Sequence, residues 1–88
     1  MKFRVGDRIR IKGKVAPLGG MQTFDGDLGT IFSLNEESTK YPYDVLRDID
    51  NKYLNEKQVP EDRKIDYTIP MSEDELEVFK RKIIIFRR

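Results

Sequence analysis

The sequence predicts a small all-β domain in which five short strands close, or nearly close, into a barrel, with one helical turn ahead of the last strand. Three observations lead there. Short blocks alternate apolar and polar side chains, the period of a strand with one buried face. Between the blocks lie clusters of Gly, Pro, Asn and Asp, the residues that turn a chain. And 88 residues suffice for one domain, whose core hides roughly 60–65% of the surface that the unfolded chain exposes.

The first strand is read over residues 3–15. Val5, Asp7, Ile9 and Ile11 share the parity that faces a core, and Arg4, Arg8, Arg10, Lys12 and Lys14 share the parity that faces solvent. Gly6-Asp7 marks a turn or bulge at its start, because glycine accepts backbone angles that other residues avoid. A loop rich in breakers follows, with Pro17, Gly19, Gly20 and Gly26. Residues 28–34 form the second strand, 35–40 a polar turn, and 41–47 the third strand, with Pro42 confined to its start.

Residues 48–63 are strongly charged, with few large apolar side chains (Tyr53, Leu54 and Val59 among them), and read as a long, mobile excursion. Residues 64–69 alternate Ile65, Tyr67 and Ile69 against Asp66 and Thr68, a fourth strand that Pro70 should stop. Ser72 with Glu75 fits a capping box around one helical turn, after which Val78 and Phe79 continue as the fifth strand. A continuous helix over 72–86 competes with this reading, since Leu76, Phe79 and Ile83 recur at helical spacing and Lys80, Arg81 and Lys82 suit a helix end. The barrel is assigned to residues 1–79, and 80–88 to a basic-hydrophobic C-terminal segment.

Composition narrows the chemistry. The chain has no cysteine and no histidine, which removes disulfides, thiol nucleophiles, imidazole bases and the commonest metal ligands. Ser33, Ser38 and Ser72 therefore have no imidazole to activate them. The pairs Asp25/Asp27 and Asp48/Asp50 lack the full acidic run of an EF-hand loop, and Gly19-Gly20-Met21 lacks the Lys-Ser/Thr end of a phosphate loop. No catalysis, metal or cofactor is expected. The start of the chain alternates charge with apolar residues, unlike a signal peptide, and the apolar run Ile83-Ile84-Ile85-Phe86 is too short for a membrane span. A soluble, cytoplasmic protein is expected.

The net charge is +1, yet it is unevenly spread. Residues 1–14 hold six bases against Asp7, a balance of +5; residues 80–88 hold five bases and no acid, again +5; residues 15–79 hold six bases and fifteen acids, or −9. Such asymmetry bears on partners rather than on fold.

Four blocks carry a resemblance: Val5-Gly6-Asp7-Arg8-Ile9-Arg10-Ile11, Gly26-Asp27-Leu28-Gly29-Thr30-Ile31, Tyr41-Pro42-Tyr43-Asp44-Val45 and Glu73-Asp74-Glu75-Leu76-Glu77. Together they resemble the Src-homology-3-like (SH3-like) barrels, most nearly the E-type accessory subunit of photosystem I and its relatives, which include small phage and bacterial proteins. The first two blocks are also similar to the KOW motif of ribosomal proteins and transcription factors. The resemblance implies a five-stranded barrel with a helical turn before its last strand and Leu76 as that turn's core anchor. It does not choose among functions, since such barrels serve as electron-transfer accessories, RNA binders and peptide binders alike. A proline-motif groove is disfavoured by the absence of tryptophan.

The sharpest candidate site is the outward parity of the first strand: Arg8, Arg10, Lys12 and Lys14. Alternate strand residues stand about 6.6 Å apart, close to the phosphate spacing of an extended nucleic-acid strand. The stripe reads as a dock for an acidic protein surface, as a phosphate track, or as a solvated face that blocks edge pairing. Tyr41, Tyr43, Tyr53, Tyr67 and Phe24 offer a stacking platform, or else rings packed on a small core. Ile84 and Phe86 in the C-terminal segment suggest a partner contact or self-association. The first expectation is a protein–protein binding module, of a size that suits a phage- or bacterium-encoded accessory or inhibitor. The alternative is a KOW-like nucleic-acid module using Arg8, Arg10, Lys12, Lys14 and nearby tyrosines.

Overall fold

A computed structural model describes residues 2–12 and 25–80. Within them, five antiparallel strands curl into a half-barrel: β1 (Arg8–Ile11), β2 (Leu28–Leu34), β3 (Tyr43–Arg47), β4 (Ile69–Met71) and β5 (Leu76–Lys80), in the order β4-β3-β2-β1-β5. The architecture is the small all-β, SH3-like barrel expected from the sequence. The anticipated turn before the last strand is present as a short 3₁₀ helix, Glu73–Glu75, closed by the Ser72/Glu75 capping box. The competing helix over 72–86 is not formed: residues 76–80 pair with β1 as a strand, and residues 81–88, with Ile84 and Phe86, lie outside the described residues.

Alternation builds the core. Ile9, Ile11, Ile31, Val45, Met71 and Leu76 point inward from the five strands, joined by Phe3 and Tyr43, all 1% exposed or less. Val78 and Ile69 pack against that cluster. Val5 departs from its expected parity. It sits in the turn that precedes β1, where Asp7 N donates to Arg4 O and Arg4 N to Asp7 Oδ2, both at 3.0 Å. Gly6 takes the left-handed angle this turn requires, φ 94°, and Val5 is left 60% exposed. Gly29 answers a different need. A Cβ there would stand 2.8 Å from the carbonyl oxygen of Leu46, so only glycine lets β2 and β3 approach this closely.

The segment between β3 and β4 overturns two expectations. Residues 48–63 are not a loose excursion. They form α1 (Asp48–Glu56) and the start of a second, longer 3₁₀ helix, Glu61–Tyr67. The fourth strand read over 64–69 is consequently mostly helical, and β4 begins only at Ile69, with Pro70 inside it rather than ending it. Proline is tolerated because, among the described residues, β4 is a sheet edge that pairs with β3 alone.

Lys64 explains why the 3₁₀ segment folds as it does. Its residue is 4% exposed, and Nζ donates to Asn51 Oδ1 at 2.8 Å and Asn55 Oδ1 at 2.7 Å while pairing with Glu61 Oε2 at 2.8 Å. Three ammonium donors meet three oxygens, which is what burial of a lysine demands. α1 ends in a Schellman arrangement, Val59 N to Leu54 O and Gln58 N to Asn55 O, both 3.0 Å, with Gln58 at φ 57° where glycine is the usual occupant. No helix of the described residues is long and apolar enough to cross a membrane.

Candidate protein-binding face

Because Ile9 and Ile11 enter the core, Arg8, Arg10 and Lys12 must leave from the opposite, outer face of the sheet. Register extends that face to neighbouring strands. Arg8 lies opposite Thr30, and Thr30 opposite Leu46; Arg8 Nη1 donates to Thr30 Oγ1 at 2.7 Å. On β5, Leu76 and Val78 turn inward and Glu77, opposite Arg10, turns outward, whereas Phe79 falls at the register shift between the Ile9–Val78 and Arg8–Lys80 pairings.

The outer face therefore has two halves. Over β2 and β3, Leu46 is only 5% exposed although it lies outside the barrel's core cluster. α1 is the element that borders both strands there, and its own buried residue is Leu54. Over β5 and β1 the face is open: Arg10 and Lys12 are exposed, and Phe79 is 50% exposed.

Carboxylates of the same chain already hold the arginines. Arg8 Nη1 and Nη2 meet the two oxygens of Asp48 at 2.6 and 2.5 Å, a bidentate pair between β1 and the first residue of α1. Arg10 reaches Glu77 Oε1 through Nε at 2.5 Å and also through Nη2. Arg47, the last residue of β3, binds both oxygens of Asp50 at 2.8 and 3.1 Å and Asp27 at 3.2 Å. The hydrogen bond from Arg8, with a smaller contribution from its charge, lowers the Asp48 pKa against an opposing burial penalty. The bond to Asp48 likewise raises that of Arg8. For Arg47, burial disfavours the charge, and the bonds and charges of Asp50 and Asp27 more than offset it, so its pKa also rises. Lys12 is exposed and pairs with no carboxylate among the described residues.

The residues singled out from the sequence fare differently. Arg8, Arg10 and Lys12 share one face as expected; Lys14 lies outside the described residues. Tyr43 offers no surface. It is fully buried, stacked edge-to-face on Phe3 at 5.3 Å, and its hydroxyl accepts from the backbone N of Lys2 and Phe3 at 3.1 and 3.3 Å. Tyr41 is 39% exposed but lies just beyond Tyr43, which pairs with Leu34. Arg10 pairs with Leu28, six residues back along β2, or roughly 20 Å at strand rise. An exposed aromatic side chain does occur on the strand paired with the stripe: Phe79, at the register shift of β5. Anchoring Leu76 in the core sends Glu77 to the face of Arg10, a signal available in the sequence, whereas the register shift at Phe79 has no local pattern that announces it.

Compared with known proteins, the chain matches no family model, no curated protein and no solved structure.

Proposed function

We propose that the protein is a non-enzymatic binding module that docks an acidic segment of another protein on the outer face of β5 and β1. The observation that carries this reading is Phe79, half exposed at the register shift of β5, the strand paired with the one that bears the exposed Arg10. An aromatic ring beside arginine is the composition of energetic centres in protein interfaces. The ligand class follows from the contacts the arginines make now, because the acceptors on Arg8 and Arg10 are carboxylates. Such partly exposed pairs contribute only about 0–1 kcal/mol each, so a partner's carboxylates can take over from Asp48 and Glu77 at little net cost. A cytoplasmic accessory or inhibitor protein would use a surface of this kind.

The nucleic-acid alternative has less support. It asks for stacking aromatics beside the stripe, and Tyr43 is in the core while Tyr41 stands at the other end of the sheet. Titration by NMR decides between the two, with a Glu-rich peptide and a single-stranded oligonucleotide of equal charge at one salt concentration. The peptide is expected to move β1 and β5 amide signals and to bind about tenfold more tightly, with most of its affinity lost in Phe79→Ala/Arg10→Glu. Tighter binding of the oligonucleotide would replace this reading with the other.

A further inference from the structure

We propose that α1 is a displaceable strap: its first residue, Asp48, occupies Arg8 on the basic outer face, and an acidic partner segment takes its place there. The inference rests on the docking function above and adds an intrachain competitor to it.

Three observations converge. The first is where the acids go. Asp48 and Asp50, in the first turn of α1, are the bidentate partners of Arg8 and Arg47. Acids at that position ordinarily favour their own helix N-terminus, yet this helix has no side-chain cap at all; Asp48 reaches across to Arg8 of β1, while Asp50 turns back to Arg47, the residue just before the helix.

The second is how little else holds the helix down. Leu54 is its buried residue, whereas the three bonds from Lys64 tie α1 to the 3₁₀ segment rather than to β1 or β2. The third is intrinsic weakness. Nine residues are fewer than the roughly 12–15 that an isolated helix needs, Asp48, Asp50, Asn51 and Asn55 are poor helix formers, and Gln58 holds the left-handed C-terminal position that disfavours a side chain.

Lifting α1 bares what lies beneath and frees what it holds. Leu46, now 5% exposed, would enter the face, and Arg8 would lose its Asp48 partner. Charge and apolar surface would both grow on the side next to Arg10 and Phe79. An acidic segment thus competes with Asp48 for Arg8, and its binding is linked to opening of the strap.

Hydrogen exchange on the full chain, with mass spectrometry at 20 and 500 mM NaCl, tests the strap without any ligand. The expected result is that amides of 48–59 exchange about two- to fivefold faster in high salt, which screens the exposed pair, while those of β2 and β3 hold. The Asp48→Asn variant should show the same selective loss in low salt and bind poly-L-glutamate about two- to fivefold more tightly than the parent. Amides of α1 exchanging in step with β2 and β3 under every condition would overturn the strap. So would a variant whose α1 opens with no gain in poly-L-glutamate affinity, although docking itself would then stand. If neither protein binds poly-L-glutamate, the docking function fails and the strap falls with it.

Discussion

The barrel and its β3–β4 insertion are stabilised by opposite means. In the barrel, eight nearly or fully buried residues from the five strands and the N-terminal stretch make one apolar cluster. In the insertion, the buried residues are Leu54 and Lys64, and polar contacts hold the rest: Lys64 on two asparagines and Glu61, and Asp48 and Asp50 on two arginines of the sheet. An apolar cluster is lost all at once, since each member's burial depends on the others. A set of polar latches can be released one at a time, by salt, by protons or by a competing ligand. The same chain thus combines a cooperative scaffold with a conditional surface element.

The largest test of that contrast is Ile31→Ala. Ile31 is fully buried at the centre of β2, between Val45 across the β3 pairing and the core side chains of β1. Truncation should cost about 2–5 kcal/mol and lower protection across the whole barrel, read by chemical denaturation and hydrogen exchange. A loss confined to the neighbourhood of β2 would break the picture of a single cooperative core.

Lys64→Met probes the other region. The stem is kept, but three hydrogen bonds go and the oxygens of Asn51, Asn55 and Glu61 are left to water, at a cost of about 1–2 kcal/mol. Amides of 48–67 should lose protection while those of β1 to β3 keep theirs. Equal loss in both regions would mean that the insertion belongs to the cooperative core after all.

That difference also decides what could be read from the sequence. The barrel was legible because period-two alternation is the signature of a one-sided strand: Ile9 and Ile11 face the core as the parity of the first strand indicates, whereas in β2 alternation gave no direction, since Ile31 enters the core from the less apolar parity and a register shift follows it. Ser72 and Glu75 announced the capping box three residues apart. The insertion carries no such period. α1 lacks a capping side chain at its start and a glycine at its end, and its buried stripe is a single leucine. In the 3₁₀ segment, Ile65 and Tyr67 imitate a strand's alternation while the residue that goes inside is a lysine, the type least expected there.

The candidate face was half legible for a related reason. Parity placed Arg8, Arg10 and Lys12 together, but their carboxylates come from 40 and 67 residues away in the chain. No local pattern reveals that a basic stripe has its counter-charges at such a distance. Tyr43 misled because a tyrosine with a satisfied hydroxyl packs as a core residue, and here the acceptor sites serve the backbone of Lys2 and Phe3.

The smallest effect comes from acid. Asp48 has its ordinary pKa of 3.8 lowered in the folded protein, chiefly by the hydrogen bond from Arg8. As pH falls, the unfolded chain takes up this proton first, so the pair's contribution is complete above the unfolded value and is lost as pH drops through the lower, folded one. Both partners are well exposed, with Arg8 and Asp48 side chains at 36% and 47%, which limits the contribution to about 0.2–1 kcal/mol. Protection of α1 should therefore decline below about pH 4, ahead of the barrel's, and Asp48→Asn should flatten its Asp48-dependent part. If the decline instead runs in parallel through α1 and β1 to β3, and survives in Asp48→Asn, the acid sensitivity belongs to other carboxylates and the Arg8–Asp48 latch is not what holds the insertion to the sheet.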